Sequence, residues 1–189
     1  MLLDSAHAWH RVVQAGRERA GASPVPFAAF DATFGQGVVA DRDQFFPDWS
    51  VEAVHAFYDE QYPRELEALR LMAGAEALLD ALAKRRLVRA VVTNTERGLA
   101  ERTLAQTGLT HRVEVLSAAG DAPEKPAPDL ILLALERLGL AKRQAVYVGD
   151  SESDRQAAQA AGVFMVGYRR PGDARIEKLG DLLSVLSSR

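Results

Sequence analysis

Three groups of polar residues in the second half of the chain have the types and spacing that phosphoryl transfer needs. The first is Gly149-Asp150-Ser151-Glu152-Ser153-Asp154, where the apolar run Ala145 to Val148 ends in Gly-Asp and a second Asp follows four residues later. Paired carboxylates at a strand tip offer the hard oxygens that suit Mg2+, which also keeps waters and substrate phosphate in its shell. The second group is Thr93-Asn94, directly after Val91-Val92, and the third is Lys125 within Pro123-Glu124-Lys125-Pro126-Ala127-Pro128. A Thr hydroxyl with neighbouring N–H groups can bind phosphate oxygens, an ammonium can neutralise charge on the nucleophile and phosphoryl group, and carboxylates can hold the metal. Each group also has a plainer reading. A Thr after a strand is a helix N-cap, a Lys between prolines is a solvated loop residue, and Gly-Asp-x-x-x-Asp is a capped helix start. Their recurrence at three strand ends is what points to chemistry.

The elements that would position these residues are legible from residue 73 onward. Ala75 to Arg86 carries Leu78, Leu79 and Leu82 on one face and predicts a helix, followed by a strand at Val88 to Val92. Helices over Glu96 to Gln106 and Asp129 to Leu138 end at Gly108 and Gly139, with a strand at Val113 to Leu116 between them. A strand at Ala145 to Val148, a helix at Ser153 to Ala161, a strand at Val163 to Val166 and a helix from Ile176 to Leu186 complete the series. Such alternation predicts an α/β fold with a parallel sheet and helices on both faces, whose ligands bind beyond the carboxyl ends of the strands.

Residues 5 to 72 carry helix signals and no strand. Ser5 is the expected cap of a helix through Ala8, Trp9, Val12 and Val13, and Phe27 to Phe34 a short helix ended by Gly35 and Gly37. Ser50 opens a third helix with Val51, Val54, Phe57 and Tyr58 along its stripe, interrupted at Pro63. Most of the aromatic residues lie here, including both Trp, and are expected to form the core of a small helical bundle.

Composition narrows the classes. The 189 residues, 48% hydrophobic and 26% charged with a net charge of −3, describe an ordinary globular chain with no basic surface for nucleic acid or anionic membrane. Lys84-Arg85-Arg86 is read as the positively charged end of a helix. The absence of Cys excludes disulfides, thiolate metal sites and Cys nucleophiles. No apolar run has transmembrane length and Met1 to His10 lacks the pattern of a signal peptide, so a cytoplasmic location is the expectation.

Taken together, Val91-Val92-Thr93-Asn94, Lys125-Pro126 and Gly149-Asp150 through Asp154 resemble the second, third and fourth motifs of the haloacid dehalogenase (HAD) superfamily, and within it the phosphoglycolate phosphatase-like hydrolases. Met1-Leu2-Leu3-Asp4-Ser5 is similar to the tail of the first motif. The resemblance implies a Rossmann-like core at 73–189, a helical cap at 5–72, a Mg2+ cofactor and a small phosphorylated metabolite as substrate. It implies Thr93 and Asn94 as phosphate or substrate contacts, Lys125 as charge stabiliser, and Asp150 and Asp154 as the metal site. It also implies that the nucleophilic Asp, and the acid/base Asp two residues on, belong before Met1, so no nucleophile is assigned here and the chain as written is expected to be inactive. The first strand, central in the family's sheet between Val88–Val92 and Ala145–Val148, is then expected to be missing as well. About four buried apolar side chains at ~1.5–3 kcal/mol each make that strand worth roughly 6–12 kcal/mol. The alternatives are a non-catalytic phosphate-binding homologue and a phosphosugar mutase.

Overall fold

The computed structural model describes residues 1–188. The first third is all helix: α1 (Ala6–Arg19), α2 (Phe27–Asp31), α3 (Val38–Phe45) and α4 (Val51–Gln61), followed by a 3-10 segment, Tyr62–Ala68. Ser50 caps α4 as expected, its hydroxyl accepting from the Ala53 N–H at 3.1 Å, whereas Ser5 precedes α1 without a side-chain cap. Trp9 stacks on Tyr62 at 4.0 Å between ring centroids and Phe46 on Trp49 at 5.1 Å, so the aromatic residues do build a core. Val12, Val13, Val54 and Phe57 are buried in the same cluster.

After residue 73 helices and strands alternate: α5 (Ala75–Lys84), β1 (Ala90–Glu96), α6 (Arg97–Gln106), β2 (Val115–Ala119), α7 (Asp129–Leu138), β3 (Val146–Gly149), α8 (Glu152–Ala161), β4 (Phe164–Tyr168), β5 (Ala174–Ile176) and α9 (Leu182–Ser187). All strand pairs are parallel, as the alternation predicts. Leu78 of α5 packs with Val166 and Ile176, while Ile131 of α7 and Ala157 and Ala161 of α8 pack with Met165, so the strands carry helices on both faces.

Three features depart from the sequence-based elements. The Val38–Phe45 helix was not expected: only Val38 and Phe45, at its two ends, are buried, and no apolar stripe announces it. The Ile176–Leu186 helix is instead the short strand β5 followed by α9, because Ile176 pairs with Tyr168 and its carbonyl accepts from the Arg169 N–H at 2.8 Å. Strand β1 runs on through Thr93 and Asn94 to Glu96, with a register shift between Val92 and Glu96.

The sheet is divided. Strand β1 pairs with β2, β3 pairs with β4 and β4 with β5, and among the described residues no ladder joins β1 to β3. The helical third and the α/β part are connected by two adjacent chain passages, with Leu3 bridging Leu71 in antiparallel sense and the Met72 N–H donating to the Leu2 carbonyl at 2.9 Å.

Candidate active site

Lys125 is the centre of the arrangement. It lies in the loop between β2 and α7, and a Lys there has every reason to extend into water, yet only 7% of it is exposed. Its Nζ donates to Asp154 Oδ1 at 2.8 Å, to the Val92 carbonyl at 3.3 Å and to the Tyr147 hydroxyl at 3.4 Å. The ammonium therefore sits between the carboxyl-terminal reaches of β1 and β3, touching both.

Asn94 holds the Lys125 backbone in place. Its Oδ1 accepts from the Lys125 N–H at 2.8 Å, and its Nδ2 donates to the Lys125 carbonyl at 2.8 Å and to the Gly35 carbonyl at 3.2 Å. This two-sided clamp pins the loop to β1 and uses up the amide. Thr93 keeps more freedom: its Oγ1 accepts from the Thr95 N–H at 3.0 Å, which leaves the hydroxyl proton to donate. The helix that follows is capped by Glu96, whose carboxylate accepts from the Gly98 N–H at 2.7 Å, so Thr93 is not the N-cap.

The two acidic residues after β3 differ sharply. Asp154 is buried, with Oδ1 accepting from Lys125 Nζ at 2.8 Å and the Tyr147 hydroxyl at 2.6 Å. Its Oδ2 accepts from the Asp150 and Ser151 N–H groups at 3.2 and 3.1 Å and from the Ser151 hydroxyl at 2.7 Å. Burial alone would raise its pKa, but the Lys125 charge and the hydrogen bonds from Lys125, Tyr147 and Ser151 outweigh it and hold the carboxyl well below the usual range. Burial beside the Asp154 charge pushes the Tyr147 phenol well up, so it stays a protonated donor. With its acceptor sites filled, Asp154 fixes Lys125 and the turn after β3. Asp150 is 37% exposed in its side chain, and its Oδ2 pairs with the Met1 ammonium at 2.9 Å. Gly149 must be Gly, because a Cβ there would lie 2.5 Å from that of Asp154.

The site thus brings Thr93, Asn94, Lys125, Asp150 and Asp154 to one edge, where they border a single cavity of about 780 Å3. Tyr147 is the residue that sequence reasoning missed. Its place within the apolar run before Gly149 marked it only as a strand residue.

Residues 1–168 match the family described as haloacid dehalogenase-like hydrolase. The chain belongs to that family. It is 35% identical over 183 residues to a phosphoglycolate phosphatase of Xylella fastidiosa, covering 91% of this chain and 79% of the relative. It is also 34% identical over 193 aligned positions to a phosphoglycolate phosphatase of Xanthomonas campestris, covering 96% and 86%. A crystal structure from Lactobacillus plantarum, provisionally called a phosphoglycolate phosphatase, superposes with a TM-score of 0.88 at 25% identity, covering 98% of this chain and 94% of that one. As a member of this HAD family the chain is a hydrolase of the phosphatase kind, with the α/β fold its alternating elements predict.

Proposed function

We propose that this edge binds the phosphoryl group of a small phosphomonoester, with Thr93 and Lys125 on phosphate oxygens and Mg2+ at Asp150. The observation that carries the reading is the buried Lys125 ammonium, held by Asp154, Tyr147 and the Val92 carbonyl where β1 and β3 end. A buried cation fixed in advance stabilises charge without reorganising during reaction, which is what a transferring phosphoryl group requires. Asn94 serves in this reading by clamping Lys125 rather than by touching substrate, and Asp154 by anchoring the ammonium.

The donor chemistry suits a divalent cation at Asp150 alone. Its carboxylate is partly exposed at the edge of the cavity, whereas the oxygens of Asp154 are filled by protein donors. Among the described residues no cluster of three acidic or His side chains forms, so waters and phosphate would complete the shell of the ion. When bound, Mg2+ would polarise the phosphoryl oxygens. Thr93 and Lys125 orient the phosphate, and helices from residues 5–72 act as a cap over a core from residue 73 onward. We further propose, from the resemblance of Thr93, Lys125 and Asp150 through Asp154 to the family's later motifs, that residues 1–188 do not supply the attacking carboxylate.

Titration of the protein with inorganic phosphate in the presence of Mg2+, followed by calorimetry, tests the reading. Binding that is lost in Lys125→Met and weakened in Thr93→Val is the expected result, and equal binding by Lys125→Met would refute it. Robust Mg2+-dependent turnover of small phosphomonoesters by this chain would refute the claim about the attacking group.

A further inference from the structure

Tyr147 lies within β3, and the alternation of the strand decides where its hydroxyl goes. Val146 and Val148 pack against the cluster that holds Leu78 of α5 and Leu182 of α9. Tyr147 takes the opposite face and packs against the cluster of Ile131 and Leu135 of α7 and Ala157 and Ala158 of α8. There its hydroxyl meets Lys125, from the loop between β2 and α7, and Asp154, in the first turn of α8. A ring packed among apolar neighbours is a fixed post, whereas Lys carries its charge on a flexible four-carbon stem.

The three groups form a closed ring. Tyr147 Oη donates to Asp154 Oδ1 at 2.6 Å, Lys125 Nζ donates to the same oxygen at 2.8 Å, and Nζ also donates to Oη at 3.4 Å. Asp154 Oδ2 is held from the other side by the Ser151 hydroxyl and the N–H groups of Asp150 and Ser151. Bound to Lys125 alone, Oδ1 could swing about that anchored oxygen and carry the ammonium with it. Tyr147 is the second donor that stops the swing. The remaining proton of Lys125 lies on the Val92 carbonyl at 3.3 Å. All three N–H bonds of the ammonium are therefore taken by the protein, and an incoming phosphate oxygen must displace one acceptor. Ceding the Val92 carbonyl leaves the ring closed, whereas ceding Asp154 or Tyr147 opens it.

We propose that Tyr147 is a positioning residue for the phosphate edge. By holding Asp154 Oδ1 and accepting from Nζ, it turns the Lys125 ammonium so that the proton now on the Val92 carbonyl is the one passed to a phosphate oxygen. Tyr147 itself does not touch the phosphate. Phe in its place keeps the packing of the ring and removes both hydroxyl contacts, which leaves Lys125 to pivot on one carboxylate oxygen. The inference rests on the reading of this edge as a phosphate site.

The test compares the parent chain, Tyr147→Phe and Gly16→Ala by calorimetry with inorganic phosphate and Mg2+, each well below its own Tm. Gly16 lies in α1 and does not border the cavity, so its Ala variant reports a loss of stability alone. Lys125 is followed separately by nitrogen NMR of its ammonium, and Val92 by the shift of its carbonyl carbon. The expected affinity is about 5- to 20-fold weaker in Tyr147→Phe and unchanged within about twofold in Gly16→Ala. Before phosphate is added, proton exchange from the Lys125 ammonium should be roughly tenfold faster in Tyr147→Phe. In the parent, phosphate should move the Val92 carbonyl shift. Equal affinity in Tyr147→Phe and the parent would overturn the inference, and so would an equal loss in Gly16→Ala, which would reduce the effect to stability. Ammonium exchange that Tyr147→Phe leaves unchanged, or a Val92 shift that stays put while phosphate binds, would overturn it too. No phosphate binding by the parent would bring down the phosphate reading itself, whereas parent binding that Tyr147→Phe leaves intact brings down only the role of Tyr147.

Discussion

Replacing Asp154 with Asn strips the counter-charge from a Lys that has almost no access to water. Lys125 and Asp154 are 7% and 5% exposed, and the contact between them is 2.8 Å. Removing one partner of such a buried pair costs about 3–5 kcal/mol, chiefly because the remaining charge stays buried and uncompensated. Asn also presents an N–H2 where Asp154 accepts hydrogen bonds, which adds to the loss and offers no relief. Against a typical total of about 5–15 kcal/mol, the variant retains a fold but a much weaker one. In urea, with a slope of ~2–3 kcal/mol/M, the midpoint should fall by about 1–2 M. At about 2–4 °C per kcal/mol for a chain of this size, Tm should fall by about 6–20 °C. The decisive measurement adds Lys125→Met and the double variant. If the charge pair is the cause, the double variant is less destabilised than the sum of the singles by about 1–3 kcal/mol. Costs that add within about 0.5 kcal/mol would refute the reasoning, and so would a cost below about 1 kcal/mol for Asp154→Asn alone.

Tyr147→Phe removes the 2.6 Å hydrogen bond to Asp154 without changing shape, and should cost about 1.5–3 kcal/mol in urea unfolding, the range for a bond to a charged group. Gly16→Ala sets two effects against each other: Ala gains roughly 1 kcal/mol of helix propensity in α1. However, its Cβ would lie 2.6 Å from Phe46 Cε1, and overpacking of this sort costs about 1–3 kcal/mol, so Tm should fall rather than rise. Hydrogen bonds from Arg97, with others from the Ala118 N–H and Arg137, hold the Asp121 carboxyl well below its usual range. A folded-state pKa lowered in this way stabilises above the unfolded value and loses that contribution as pH falls. Asp121→Asn should therefore lose about 1 kcal/mol at pH 7, with the difference from the parent shrinking below about pH 4 in pH-dependent thermal melts.

What the sequence disclosed about fold and site follows from where each signal is local. Helices α5 and α7 carry strong apolar stripes, and α7 and α8 end at left-handed glycines, Gly139 and Gly162, so their type and extent could be read directly. Helix α3 lacked such a stripe because its stability comes from other elements: Tyr58 of α4 donates to Asp41 at 3.0 Å, and Gln36 donates to the same carboxylate at 3.0 Å. Strand β5 has three residues, too few to show a period. Residue types pointed to Thr93, Lys125, Asp150 and Asp154 and offered a role for each, but not to the contacts among them. Those contacts join residues distant in sequence, such as Lys125 to Asp154, Asn94 to Lys125 and Ser153 to Gly35. The burial of Tyr147 against the ammonium is likewise a product of packing, invisible in a strand where Tyr reads as one more apolar residue.

The Gly35 carbonyl, which receives both Asn94 and Ser153, makes a mechanical prediction of its own. One donor lies in β1 and the other follows β3, so this oxygen is a rivet through the two halves of the sheet and the loop between α2 and α3. Moving the halves apart must lengthen or break one of these bonds, which releases the loop from that half. Sheet width and the position of the helical layer beside the Lys125 edge are therefore geared together. A change that tightens one half of the molecule reaches the other through this oxygen and through the Lys125 ammonium, which bonds both the Val92 carbonyl and Asp154.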